Sequence, residues 1–413
     1  MSNATDMRPE PDRLLAERYN PFAEEWRAHA SAQYRALRDH APVHKFDGFE
    51  YPLYALTRHE DIKAMLRDPD LWSSRYGQAP MYIEEKGMVC DPPQHTAKRR
   101  MLNPVFTTRR VDAMRDGIGR LVDRLIDAIV ERGECDLYRD FAAIFPMSVA
   151  ADLLGVEAAR HADFRRWTGE FITAQLTSNR EQEQAVRRKF AAYFEPLLDA
   201  RRELLATSPQ QAPDDAINNL VTARHDDGSP FDNEEIFPLL NSVVTGASDT
   251  TALLLANCVY RLLEDRRRWD QLCADPGLAE VAIEEALRFD PPVMGVFRTN
   301  KREVVLHGQT IPANSKVQAF IAAGNRDERV WEHPDEFRLD RDVSEMKQKQ
   351  LGFGHGNRFC IGAHLVRLDT AIALRRLAER LPALRLAGEP GRFVVMQMQG
   401  INALPVAWDG QAG

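Results

Sequence analysis

The residues best suited to chemistry stand near the C-terminus, in Phe353-Gly354-His355-Gly356-Asn357-Arg358-Phe359-Cys360-Ile361-Gly362, directly before the amphipathic stretch Ala363-His364-Leu365-Val366-Arg367. The glycines permit a tight loop, and the helix that follows presents its N-terminal amides toward the sulfur. Both features favour the thiolate of Cys360. A thiolate so placed can bind a soft metal or act as a nucleophile. An inert cysteine in a glycine-rich turn is the plain alternative.

Three other groupings have suggestive spacing. Gly246-Ala247-Ser248-Asp249-Thr250-Thr251 sets an acid beside hydroxyls inside an otherwise apolar helical stretch. Polar groups there serve a ligand, or else the threonine bonds back to a helix carbonyl and bends the helix. Glu285 and Arg288 lie three apart on one helical face, a spacing that chance also produces on solvated helices. His95 and Arg99 lie four apart after Pro92-Pro93, two cationic donors suited to a carboxylate pair or merely a basic surface.

The pattern F-x-x-G-x-x-x-C-x-G resembles the signature of the cytochrome P450 family, the haem-thiolate monooxygenases. The other motifs, with Asn325-Arg326-Asp327 and Asp335-Glu336-Phe337, follow in the family order. The resemblance implies that Cys360 is the metal ligand of haem b (iron protoporphyrin IX), with Phe353, Gly354 and Gly362 shaping its loop. It implies that Gly246 and Ala247 let the long helix pass close over the macrocycle, and that Asp249 and Thr250 pass protons to dioxygen, the co-substrate. His95, Arg99, Arg298 and Arg358 would hold the propionates. Arg358 departs from the histidine common in bacterial members but keeps a cation there. Glu285, Arg288 and Arg341 would form a structural salt network. By family position the substrate would meet Tyr76, Met81, Val243, Val244, Val293, Met294, Val296, Phe297, Met396 and Met398. These are largely apolar, which points to a hydrophobic small molecule.

The resemblance further implies a monooxygenase that hydroxylates or otherwise oxidises that molecule. The chain has no flavin or nicotinamide fingerprint, so electrons would come from a ferredoxin and its NAD(P)H-dependent reductase. A peroxide-driven or rearranging haem-thiolate enzyme, and a haem sensor or carrier without turnover, are the alternatives. Between His95 and Arg110 stand Lys98, Arg99, Arg100, Arg109 and Arg110 with no acid, which together with Arg367, Arg375 and Arg376 form a basic patch suited to an acidic ferredoxin.

Helices must position these groups. Apolar residues recur at helical spacing from Arg109 to Arg132, from Phe190 to Leu205 and from Ile361 to Leu381. The longest pattern starts after Asp232, whose place three residues before Glu235 fits a capping box, and runs through Leu263. Strands are expected around Val43–Leu56 and Phe393–Val406, and Val304–Leu306 with Val317–Phe320 reads as a hairpin around His307-Gly308 and Pro312-Ala313-Asn314. Ala206–Asp215 is the best linker candidate, though a surface loop explains it equally.

The fold class expected is therefore mainly α with a minor β-sheet portion, as one large P450 domain over residues 1–413 with a loosely ordered segment at 1–20. Over 413 residues, 44% are hydrophobic, and 54 basic against 62 acidic residues give a net charge of −8. That balance offers no global footprint for nucleic acid. The N-terminus lacks a signal-peptide core, and no segment reads as a membrane span. Five widely spaced cysteines without a C-x-x-C pair suit a reducing cytoplasm.

Overall fold

The helix Asn233–Glu264 begins as its sequence dictates. Asp232 accepts from the Glu235 amide at 2.9 Å, the Glu235 carboxylate accepts from the Asp232 amide at 3.2 Å, and 32 residues follow without a break. By length and composition this helix could cross a membrane, but 67% of its apolar window is buried inside the protein. Its apolarity is that of a core helix.

The computed structural model describes residues 9–23, 30–84, 87–176, 179–394 and 397–409. The chain forms two compact units, the first from residues 1–85, 280–360 and 392–400, the second from 86–279, 361–391 and 401–413. Mainly helical with a minor sheet portion, it has the predicted composition of elements.

The first unit is built on a five-stranded sheet of β1 (Val43–Phe46), β2 (Leu53–Leu56), β3 (Trp72–Ser73), β4 (Val296–Asn300) and β5 (Lys316–Ala319). Across the sheet they run β1-β2-β5-β4-β3, with β2 and β5 parallel, Leu53 opposite Lys316, and the other pairs antiparallel. Val43, Leu56, Ile62, Trp72, Val317 and Leu351 make one buried cluster. A second cluster joins Ala16, Tyr19, Tyr34, Leu37, Met294 and Phe320. Residues 1–20 are thus not loose throughout: Pro9–Glu17 is a helix, and Ala16 and Tyr19 are buried.

The expected hairpin is redrawn. His307 and Gly308 both have positive φ, 49° and 78°, the backbone of a two-residue hairpin turn. That turn pairs Val304–Leu306 with Gln309–Ile311, and Lys316–Ala319 is instead inserted between β2 and β4.

The second unit packs helices around Asn233–Glu264. Its core joins Met101, Leu102, Phe164, Trp167, Phe190, Phe194, Leu239, Leu240 and Val244. The Arg109–Arg132 pattern is divided into Thr108–Ala113 and Arg115–Asp127, and the helices Arg180–Thr207 and Ala363–Arg380 cover the other two periodic stretches. Ala206–Asp215 is a pinned loop: Asp215 caps the next helix by accepting from the Asn218 amide at 2.8 Å and takes both terminal nitrogens of Arg201 at 2.6 and 2.8 Å.

Candidate active site

In the first unit the cysteine loop folds on its glycines. Gly354 and Gly356 have φ of +73° and +72°, a region L side chains rarely adopt. A Cβ on Gly356 would stand 2.6 Å from the Leu66 carbonyl oxygen, so this position has no room for any side chain. The Gly354 amide donates to the Leu351 carbonyl at 2.8 Å, and the Cys360 amide donates to the Phe353 carbonyl at 2.9 Å, closing the loop. Cys360 is left half-buried at the end of it. Phe353 and Phe359 meet edge to face, with 6.1 Å between ring centres. The Gly362 carbonyl then accepts the first bond of the helix Ala363–Arg380, from Val366 at 2.9 Å.

Arg298 lies on β4, buried, with Nη1 donating to the Phe297 carbonyl at 2.7 Å, and Arg358 is half-buried two residues before the cysteine. Nearby in sequence, the salt network forms as expected. Glu285 and Arg288 are both fully buried, and Arg288 donates to both carboxylate oxygens at 2.7 Å. Its remaining N–H groups reach the carbonyls of Asn325, Pro334 and Glu336 at 3.2, 2.7 and 2.8 Å. Glu285 also accepts from Arg341 Nε at 3.1 Å and the Arg338 amide at 2.9 Å. Arg338 was not anticipated, because its contribution is a backbone N–H that carries no side-chain signature.

The pocket residues expected on this unit divide. Val293 and Met398 are brought together across a β-bridge, and Tyr76 and Met81 are half-buried on one loop. Phe297 is fully buried in the sheet, Val296 packs against the sheet cluster, and Met294 belongs to the cluster of Tyr19 and Tyr34. Met396 lies outside the described residues.

In the second unit, the long helix turns a polar stripe away from its core. Gly246 is exposed, and a Cβ there would meet nothing within 4 Å; Thr245, Ala247, Asp249 and Thr250 are half-buried. Val243 and Val244 are buried in the core cluster; at helical spacing Val243 lies on the same face as Gly246, three residues on, whereas Val244 is turned away from it. Thr245, on the stripe, is what the sequence reading missed.

Asp249 accepts from the Ser248 hydroxyl at 2.9 Å, and burial raises its carboxyl above the usual carboxylate range. The Tyr138 phenol is pushed up to about 12, chiefly by burial and further by the charge of Asp249. The Thr250 hydroxyl donates to the Gly246 carbonyl at 2.8 Å, the back-bonded geometry weighed for it, yet the helix continues unbroken to Glu264. His95 is buried and Arg99 half-buried on the helix Gln94–Leu102.

The donor set fits a haem. Among the described residues no three His, Cys, Asp or Glu side chains gather to cage a bare metal ion. An iron held by a porphyrin asks only for an axial ligand, which a half-buried cysteine at a loop end can supply. Arg298, Arg358, His95 and Arg99 are the charge type a dianionic macrocycle edge requires.

The basic patch of the second unit is less bare than its sequence. Arg100 pairs with Asp226 at 2.7 Å, Arg109 and Arg110 share Asp214, and Arg376 pairs with Asp123 and Glu379 at 3.5 and 2.8 Å. Lys98 Nζ donates to the Gly87 carbonyl at 3.0 Å.

The cytochrome P450 family model matches residues 22–275 and 277–382. Over 392 residues the chain is 34% identical to the steroid C26-monooxygenase of Mycolicibacterium smegmatis, covering 92% of each. Over 386 residues it is 31% identical to the vitamin D(3) 25-hydroxylase of Pseudonocardia autotrophica, covering 90% of this chain and 92% of that one. The solved structure of the cytochrome P450 PksS of Bacillus subtilis superposes with a TM-score of 0.84 at 26% identity, over 95% of this chain and 100% of the other. The chain belongs to the cytochrome P450 family. It is an oxidoreductase of the monooxygenase class, using haem b and dioxygen.

Proposed function

We propose that this enzyme inserts one oxygen atom of dioxygen into a steroid-sized, largely apolar molecule, using two electrons from a separate ferredoxin and its NAD(P)H-dependent reductase. The second oxygen atom leaves as water with two protons. The observation that carries this reading is the closed Phe353–Cys360 loop, whose positive-φ glycines and internal hydrogen bonds set a half-buried cysteine at its end. Cys360 would ligate the iron, with Arg298, Arg358, His95 and Arg99 on the propionates. A buried guanidinium such as Arg298 is stable where an anion shares its burial, which a propionate would supply. When bound, the haem supplies the reductive activation of dioxygen.

The chain's own residues do the rest. Asp249, its carboxyl raised by burial, holds a proton at a higher pH than an exposed aspartate would and releases it inward along the helix. The Thr250 hydroxyl commits its proton to the Gly246 carbonyl and so keeps lone pairs to accept a donor above the helix. Tyr76, Met81, Val293 and Met398 would offer apolar surface to the substrate. The steroid and vitamin D(3) activities named for the relatives support a large alicyclic substrate. The lysine and arginines from Lys98 to Arg110 would attract an acidic ferredoxin, and we place the enzyme in the cytoplasm as a soluble protein.

The test is spectroscopic. The dithionite-reduced, CO-treated holoenzyme should show the red-shifted Soret band of thiolate ligation, and Cys360→His should lose it. Cholesterol, testosterone and vitamin D3 should be titrated for a change of spin state in the ferric enzyme. A wild-type CO spectrum of the histidine-ligated type would overturn the ligand assignment. A spin-state response confined to small charged compounds would overturn the substrate class.

A further inference from the structure

Lys316 sits in β5, inside the sheet of the first unit, with none of its surface exposed. A buried ammonium is costly unless its three N–H groups find acceptors. Here Nζ donates to the carbonyls of Tyr76, Ala79 and Gly77 at 2.6, 3.1 and 3.3 Å, and lies 5.2 Å from the centre of the Tyr82 ring. All three acceptors belong to one turn of the loop that carries Tyr76 and Met81.

The same turn is gripped elsewhere. The Gln78 carbonyl accepts from the Phe297 amide at 3.0 Å and from the Gln397 side chain, and the Pro80 carbonyl accepts from the Tyr51 hydroxyl at 3.0 Å. Every carbonyl from Tyr76 to Pro80 is therefore engaged, three of the five by one cation. With these carbonyls engaged, the backbone of residues 76–80 is held in one conformation, and the side chains it carries are held with it.

We propose that Lys316 is a positioning residue for the substrate: its ammonium fixes the backbone of residues 76–80, so that Tyr76 and Met81 form a preset wall instead of ordering when substrate arrives. Preset contacts bind more tightly because the ordering cost is already met. This rests on the reading that the loop meets the substrate.

The test compares the wild-type holoenzyme with Lys316→Met, which keeps the length of the side chain and removes the charge. Trypsin reports the clasp through cleavage after Arg75, whose exposed side chain lies one residue before the turn. Two azole probes, each binding ferric iron through an imidazole nitrogen, report the ligand site: bulky clotrimazole, large enough to reach a pocket wall, and small 4-phenylimidazole. A loss the size of one charge-assisted hydrogen bond predicts about tenfold faster cleavage, about fivefold weaker clotrimazole binding and 4-phenylimidazole binding within about twofold of wild type.

Unchanged cleavage at Arg75 overturns the inference and leaves the monooxygenase reading untouched. Equal weakening of both azoles also overturns it, because a general structural defect moves both. Faster cleavage with neither azole affected overturns it and removes the loop from the substrate site. Should Lys316→Met fail to take up haem, Tyr82→Leu, at an exposed position, loosens the same clasp with effects of about threefold and the same reading of outcomes.

Discussion

Replacing Arg288 by methionine removes a cation that is 0% exposed and donates five hydrogen bonds, two to Glu285 and three to the carbonyls of Asn325, Pro334 and Glu336. Breaking one side of a buried ion pair costs about 3–5 kcal/mol. Arg341 Nε and the Arg338 amide remain on Glu285, which moves the charge cost toward the lower end, while each orphaned carbonyl adds up to about 1–3 kcal/mol. With the charge cost at about 3 kcal/mol and each of the three carbonyls near the low end of its range, the balance is about 6 kcal/mol, a large part of the roughly 5–15 kcal/mol that holds a folded domain together. At about 1.4 kcal/mol per tenfold, the unfolded fraction rises roughly ten-thousandfold or more. Arg341→Met should cost only about 1–2 kcal/mol, because Glu285 keeps both bonds from Arg288. The double variant Glu285→Leu/Arg288→Met should not return to wild-type stability, since the three carbonyls stay unpaired. Urea unfolding of haem-loaded protein, followed by far-UV circular dichroism at fixed haem concentration, measures all three. The reasoning fails if Arg288→Met costs less than about 1 kcal/mol at unchanged slope, or if Arg341→Met costs more than Arg288→Met.

Thr250→Ala should keep the thiolate-type CO spectrum while product formed per NAD(P)H consumed drops about tenfold, which parallel product and cofactor assays read directly. Gly356→Ala meets both a positive φ and the Leu66 backbone, and should lower haem retention and cost more than the roughly 1–2 kcal/mol of the dihedral alone, measured by haem transfer to apomyoglobin and by urea melts. Burial holds the Asp369 carboxyl well above its ordinary range, so the folded state keeps a proton that the unfolded chain loses above about pH 4, and stability falls as pH rises through the folded value, by about 1.4 kcal/mol per pH unit. Asp369→Asn lacks that titration and should gain on the wild type as pH rises above about 4, until the folded carboxyl itself ionises; parallel stability curves over the whole range would refute it. Asp214→Asn frees Arg109 and Arg110 and should speed reduction by an acidic ferredoxin at low salt, whereas reversing the charge of Arg109 should slow it, both read by stopped-flow reduction.

What the sequence made legible was local or strongly patterned. The capping box at Asp232 and Glu235 set the start of the long helix to the residue, and the glycine spacing around Cys360 announced a loop whose dihedrals only glycine takes comfortably. Glu285 and Arg288 lie at a three-residue spacing that allows their contact, but it was the family resemblance that singled them out from chance pairs and added Arg341. What escaped depends on long-range encounters. Asp214 and Asp226 neutralise arginines more than 100 positions away, and nothing near Arg109 or Arg100 signals them. The strand Lys316–Ala319 was matched to its sequence neighbour because a turn lay between, but His307-Gly308 closes a tighter hairpin and leaves that strand for β2 and β4. The resemblance places Val243 and Val244 beside a ligand, and their packing in one cluster with Phe164, Trp167 and Phe190 is another long-range encounter that spacing does not show.

The pairing of β2 with β5 also bears on how the chain matures. The core of the second unit draws on residues from Met101 to Val244, a nearly continuous run that can collapse while the ribosome is still working. The sheet of the first unit cannot: Leu53 pairs locally with Phe46, but its other edge must wait for Lys316, and closing so long a loop is entropically slow. The N-terminal strands are therefore made early and used late, and during that interval Val43–Leu56 is a two-stranded ribbon with the β2 edge open and apolar residues on show. Aggregation during high-level expression should start there, and slower translation beyond residue 250 would prolong the exposure.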